Sequence, residues 1–119
     1  MAFDPLTLKY DANGLIPCIT QDDATGEVLM FAWMNAEAVS RTLRSGNVTY
    51  WSRSRGQFWV KGESSGHSQV LKDLRIDCDR DCLLVRVAQT GPACHTNRRS
   101  CFYTAVRDDQ EVELLQPVE

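Results

Sequence analysis

The segments 70–78 and 82–89 are rich in Leu, Ile and Val, and the acidic run Asp77-Cys78-Asp79-Arg80-Asp81 forms the link between them. The two segments read as strands joined by this acidic turn, which makes them neighbours in a strand-rich fold. The same turn concentrates chemistry. With Cys94-His95 and Cys101 downstream, it brings three carboxylates, three thiols and an imidazole into one short stretch. Carboxylate oxygens suit hard cations such as Mg²⁺ and thiolates suit Zn²⁺, so interleaving the two points to two metals of different character.

The rest of the chain reads as one strand-rich domain, 1–119, long enough for one buried core and too short for a second domain. Apolar segments 15–20 and 28–33 flank Asp22-Asp23-Ala24-Thr25-Gly26, whose turn-forming residues predict a hairpin. Segments 48–53 and 57–61 predict another around Arg55-Gly56, dense in the aromatics Tyr50, Trp51, Phe58 and Trp59. Residues 62–66 read as a loop or short helix, 102–106 as a last strand, and the remainder as a polar tail. One helix is predicted from Asn35 as N-cap to about Arg44, with Ala36, Val39 and Leu43 on its apolar face and Gly46 ending it. The expected fold is α+β: a mixed or antiparallel, barrel-like sheet with one main helix.

An extended backbone through the acidic turn would send Asp77 and Asp79 to one face and Cys78 to the other, beside Leu74 and Ile76. Carboxylates and thiol would then serve different metals. Asp77, Asp79 and Asp81 match the start of an EF-hand loop, but Cys82 stands at its glycine position and Ala88 at its bidentate glutamate position. A small Mg²⁺ site is the better reading, set against a solvated acidic turn. Cys78, Cys94 and Cys101 follow no C-x-x-C pattern, so neither a zinc ribbon nor a finger template fits. Three thiolates leave one tetrahedral position open, as a catalytic zinc requires; a structural site closed by His95, or a set of buried thiols, competes with that reading. Adjacency to Cys94 gives His95 poor geometry on the same metal and favours an acid or base role beside it. Cys18 and Cys82 lie in apolar strand contexts and read as unmetallated core.

Five cysteines, an odd count, fit the reduced thiols of a cytoplasmic protein better than a disulfide framework. The start, Met-Ala-Phe-Asp-Pro, has neither a basic n-region nor an apolar h-region, and no apolar stretch approaches the roughly 20 residues of a membrane helix. No membrane partner is expected, and a net charge of −3 argues against general nucleic-acid binding. Local basic clusters remain. Arg53, Arg55 and Lys61 lie on the aromatic hairpin and Ser64, Ser65 and Gly66 in the adjoining loop, a composition suited to phosphate. Arg98 and Arg99 form a further pair, while Arg41 and Arg44 read as a solvated helix face. Trp51 or Trp59 would suit stacking on a flat ring, although aromatics at strand spacing serve a core or an interface more often.

Taken with Gln89-Thr90-Gly91-Pro92-Ala93-Cys94-His95-Thr96 and Ser100-Cys101-Phe102, the acidic turn resembles the signature of the phosphoribosyl-AMP cyclohydrolases, which open the adenine ring in histidine biosynthesis. Met30-Phe31-Ala32-Trp33-Met34-Asn35, Tyr50-Trp51-Ser52-Arg53-Ser54-Arg55 and Trp59-Val60-Lys61-Gly62-Glu63-Ser64-Ser65-Gly66-His67 fit the same family. The resemblance implies Zn²⁺ on Cys78, Cys94 and Cys101 and Mg²⁺ on Asp77, Asp79 and Asp81. It also implies a homodimer, required for activity, whose zinc sites take cysteines from both subunits. Arg80 and Asn97 depart from the pattern, since small residues, often glycine, are common at both places.

The implied substrate, phosphoribosyl-AMP, carries a second phosphoribosyl group on N1, which makes the ring cationic and C6 electrophilic. Zinc would supply hydroxide near neutral pH for attack at C6, and the C6–N1 bond must then break in preference to loss of the exocyclic amine. His95 is the expected proton-transfer group and His67 the second candidate. Arg53, Arg55, Lys61, Ser64 and Ser65 are the candidates for the two phosphates, and Trp51 for the base. A purine deaminase is a weaker alternative, because the chain lacks both a Glu beside a ligating His and a P-C-x-x-C pair. A zinc-stabilised module that binds a phosphorylated ligand without turnover is another.

Overall fold

The computed structural model describes residues 2–118. A 3₁₀ turn, Pro5–Thr7, leads into β1 (Ile16–Asp22), β2 (Val28–Met34), helix α1 (Ala36–Ser45), β3 (Thr49–Ser52) and β4 (Gln57–Val60). After these come β5 (Gln69–Ile76), β6 (Leu83–Gln89), β7 (Thr104–Arg107) and β8 (Gln110–Glu113). Four strands make one mixed sheet in the order β2-β1-β6-β5, with β1 antiparallel to β2 and parallel to β6. The short acidic link does join β5 and β6 as neighbours, paired antiparallel.

Strand alternation decides what this sheet covers. Ile16, Cys18 and Thr20 of β1 and Leu83, Val85 and Val87 of β6 are fully buried on one face. Each large apolar side chain among them contributes about 1.5–3 kcal/mol by leaving water. Helix α1 closes this face. Asn35 caps it by accepting a hydrogen bond from the Ala38 amide at 2.8 Å, and Gly46 ends it in the left-handed region at φ 77°. Its buried residues are Ala38, Val39 and Thr42, whereas Leu43, expected inward, is 42% exposed. Thr42 takes that space because its hydroxyl accepts from the Thr49 amide at 2.9 Å and ties the helix to β3.

The expected barrel does not close. β3–β4 and β7–β8 are separate two-stranded sheets. The first joins β5 only near its base, through the Asn47–Val70 bridge and the bonds Val48 N to Gln69 O and Leu71 N to Gly46 O, 3.1 and 2.8 Å. β3 lies against β2 at the opposite edge as well, but no strand ladder joins the two, so the sheet stays open. The hairpin β7–β8 replaces the expected polar tail. Asp108 and Asp109 both have positive φ, 52° and 61°, the pattern of a two-residue type I′ turn.

The interior and the outer face of the sheet each carry one further feature. A chain of side chains runs from the buried interior out to half-buried Gln89: the Tyr50 hydroxyl lies 2.6 Å from Thr20 Oγ1 and donates to Gln69 Oε1 at 2.6 Å. Gln69 Nε2 donates to Gln89 Oε1 at 2.8 Å, and Gln89 Nε2 to the Thr90 carbonyl at 3.2 Å. Since Tyr50 spends its one proton on Gln69, Thr20 is the donor to it. On the outer face of the sheet, Phe31, Ile19 and Leu84 stand in register across β2, β1 and β6, with Trp33 opposite Pro17. Phe31 is 47% exposed, whereas Ile19 and Leu84 are half-buried, so this apolar row is covered only in part within the chain. No helix among the described residues is long and apolar enough to cross a membrane.

Candidate active site

β6 ends where the side-chain network reaches Thr90, and the next loop folds back on itself. The amides of Ala93 and Cys94 donate to the carbonyls of Arg99 and Arg98, both at 3.1 Å, forming a neck. Asn97 turns the tip with φ 65°. Beyond the neck, the Ser100 hydroxyl donates to the Val28 carbonyl at 2.7 Å and the Cys101 amide to Leu29 O at 2.7 Å, fastening the loop to β2. Cys94 and Cys101 are thereby brought together. Burial would raise the Cys94 thiol, yet the Thr96 hydroxyl at 3.0 Å, the Thr96 amide, Cys101 and the Lys61 charge hold it below its ordinary value. Cys101 is exposed as a residue, but crowding by protein atoms, ahead of the Cys94 charge, pushes its thiol up to about 11. Two sulfurs side by side offer soft donors of the kind that suit a cation such as Zn²⁺.

Arg98 and Arg99 serve this loop and offer no free phosphate hand. Arg98 pairs with Glu113 of β8, donates to the Leu115 carbonyl at 3.0 Å and lies 4.1 Å from the Tyr103 ring. Arg99 bonds Glu27 at 2.8 Å and reaches buried Asp22 at 3.3 Å. Arg41 and Arg44 pair with Glu37 on the exposed helix face, as expected of a solvated surface.

The third thiol lies elsewhere. β5 stops at Ile76, so the strand alternation expected through the acidic turn does not continue, and Cys78 is not turned away from the carboxylates. Instead Asp77 Oδ1 accepts from the amides of Asp81 and Cys82 at 2.9 and 3.1 Å, closing the turn, and exposed Cys78 donates to Asp79 Oδ1 at 3.1 Å. That bond to Asp79, then desolvation, raises the Cys78 thiol. Asp81 is raised above its ordinary value chiefly by the hydrogen bond with Asp77, while Asp77, against desolvation, is lowered by the hydrogen bonds it accepts from Asp81 and the Cys82 amide. Two carboxylates this close repel when both are ionised, a cost that a bound cation relieves. Among the described residues, no three His, Cys, Asp or Glu side chains converge on one metal position. The two halves of the expected zinc set therefore stand apart in the chain, and the acidic set offers hard oxygen donors without a closed cage. Cys18 is fully buried with its thiol raised to about 12 by desolvation, whereas Cys82, expected in the core, is only half-buried at the turn.

One wall of a cleft of about 430 Å³ is the thiol loop, through Pro92, Ala93, Cys94, His95 and Asn97. The opposite wall is β4 and the loop after it, with Arg55, Lys61, Ser64, Ser65 and His67. The structure thus gathers both candidate histidines and most of the candidate phosphate ligands around Cys94. His95 is exposed; His67 is half-buried against Gly91, so close that a Cβ on Gly91 would lie 2.7 Å from His67 Cδ2. Arg53 and Trp51 line a neighbouring cleft with Phe31 and Trp33, where the Arg53 guanidinium lies 4.6 Å from the Trp33 ring. Trp51 packs edge-on to Phe58, and Trp59 lines both clefts. Glu63, the one carboxylate on the main cleft, has no role in the sequence reading; its position between Lys61 and Ser64 is the signal that could have found it.

The family model for phosphoribosyl-AMP cyclohydrolase matches residues 30–103, which hold every one of these side chains. The chain is 78% identical over 118 residues to a phosphoribosyl-AMP cyclohydrolase of Ruegeria pomeroyi, covering 99% of each chain. It is 70% identical over 118 residues to that of Dinoroseobacter shibae, again 99% of each. Its identity to that of Paracoccus denitrificans is 74% over 115 residues, 97% of this chain and 95% of the relative.

Proposed function

This chain belongs to the phosphoribosyl-AMP cyclohydrolase family and hydrolyses the adenine ring of phosphoribosyl-AMP in histidine biosynthesis, and we propose that it does so as a cytoplasmic, zinc-dependent homodimer. Cys94 and Cys101 of one subunit and Cys78 of the partner subunit hold the zinc. The observation that carries this reading is the split of the thiols: two meet at the cleft, and the third is exposed on a distant hairpin tip. The half-exposed row of Phe31, Ile19 and Leu84 is consistent with the dimer, since apolar surface left on the outer face of a sheet suits a partner.

When bound, zinc lowers the pKa of a water from roughly 16 to about 7 and so supplies hydroxide at neutral pH. The water oxygen ends on C6, the C6–N1 bond breaks, and N1 takes up a proton while the exocyclic nitrogen stays as the amide. His95, exposed beside Cys94, delivers that proton; His67 is the second imidazole of the cleft. Arg55, Ser64 and Ser65 hold one phosphate in the main cleft, and Arg53 suits the other in the neighbouring one. Trp59, on both clefts, is better disposed toward the purine than Trp51. Asp77, Asp79 and Asp81 fit Mg²⁺ by donor type, because Mg²⁺ is commonly held by one or two carboxylates with the remainder from substrate phosphate and water.

The test is an ultraviolet assay following loss of the purine chromophore, run on wild type, Cys78→Ala and Cys101→Ala, each alone and then the two variants mixed. Each variant alone should be inactive, and subunit exchange should restore part of the activity by rebuilding one complete thiol set. No recovery on mixing would exclude shared sites. An inactive wild type with zinc bound would leave the non-catalytic phosphate-binding module in its stead.

A further inference from the structure

Charge and position make Lys61 a candidate phosphate ligand, but its ammonium is engaged elsewhere. Nζ lies 2.5 Å from the carbonyl oxygen of Ala93 and 5.3 Å from the centre of the Trp59 ring, and the side chain is half-buried. Ala93 is itself buried, and its amide forms half of the neck that closes the thiol loop. The Lys61 backbone is fixed as well, its amide donating to the Val48 carbonyl at 3.0 Å. The side chain thus runs from the base of β4 to the residue just before Cys94, bridging the two walls of the cleft.

We infer that Lys61 is a positioning residue for the Cys94–Cys101 pair and not a phosphate ligand. Two physical arguments carry this. A charge-assisted bond from an ammonium to a carbonyl is stronger than a neutral one, so it fixes the backbone leading into Cys94 more firmly than a serine or glutamine would. A divalent cation on three thiolates also carries net negative charge, which a half-buried ammonium beside two of the sulfurs offsets. Arg53 and Arg55 are exposed and left for anions. The inference rests on the zinc-dependent reading of the site.

Its test is zinc affinity, measured on the full chain by competition with a chromogenic chelator, for wild type, Lys61→Met and Lys61→Gln. Methionine keeps the stem against Trp59 and removes both bond and charge; glutamine keeps a donor without charge. The methionine variant should lose about 10- to 100-fold in zinc affinity, the range for residues that support metal ligands. Its KM for phosphoribosyl-AMP and the unfolding midpoint of its metal-free form should stay near wild type. Glutamine should fall between the two, and keeps the test available if the methionine variant does not fold. Unchanged zinc affinity with a raised KM would make Lys61 a phosphate ligand and overturn the inference. Loss of metal-free stability in proportion to zinc affinity would assign it to the fold, with the same result. A wild type that binds no zinc would overturn the zinc reading itself, and this inference with it.

Discussion

Arg80 and Asn97 both have left-handed backbone, φ 63° and 65°, which explains why small residues suit those two positions. Asparagine visits that region readily. Arginine does not, and is held there by bonds to Thr7: Nη2 to Oγ1 at 2.7 Å and Nε to the carbonyl at 3.3 Å. The departure was legible in the sequence; the compensation, some seventy positions away in the chain, was not. Gly91 gives the sharper prediction at this scale. Its φ is 68° and His67 packs directly on its Cα, so Gly91→Ala should cost about 1–2 kcal/mol by strain alone and push the imidazole out of position. We expect a lower unfolding midpoint by chemical denaturation together with a fall in kcat; an unchanged kcat would remove His67 from the chemistry. The candidate donor types could be named from the sequence because metals choose donors by hardness. The separation of Cys78 from its fellows could not be read from spacing, since it depends on where β5 stops.

Among the elements, the hairpins and the helix were legible because turn residues and apolar alternation agree there. β8 was not, because Gln110–Glu113 is exposed throughout and carries no alternation; only the Asp108-Asp109 pair signals its turn. The hydrogen-bonded chain Thr20–Tyr50–Gln69–Gln89 was also missed. Its members belong to β1, β3, β5 and β6 and become neighbours only when the strands assemble. Desolvation keeps the Tyr50 hydroxyl protonated far above its ordinary range, so it remains a donor at any physiological pH. Tyr50→Phe would leave Gln69 Oε1 and the Thr20 hydroxyl without their partner, costing about 1–3 kcal/mol. Urea unfolding should show that loss. Because the chain ends on Thr90, slower turnover should accompany it, and a variant as stable as wild type would mean that water replaces the hydroxyl.

At the scale of the whole molecule, the sheet stays open and its outer face carries the partly covered row of Phe31, Ile19 and Leu84, whereas the sequence led us to expect a barrel. Alternation says which side chains share a face but not whether the two edges of a sheet meet. Phe31→Asp on this row should give a folded protein with wild-type circular dichroism that sediments as a monomer, has lost zinc and does not turn over. Persistent dimers would move the interface elsewhere. The thiol loop, for its part, is fastened to the rest of the molecule by the Ser100 and Cys101 hydrogen bonds to β2 and by the ion pairs of Arg98 with Glu113 and of Arg99 with Glu27 and Asp22. The scaffold beneath it is held by apolar burial. Dissolved ions act only on the ion pairs among these ties, and weakly, because partly buried charges in contact are screened much less than exposed, separated ones, while apolar contacts are not weakened. Strong brine therefore trims turnover only modestly, and the fold melts no earlier.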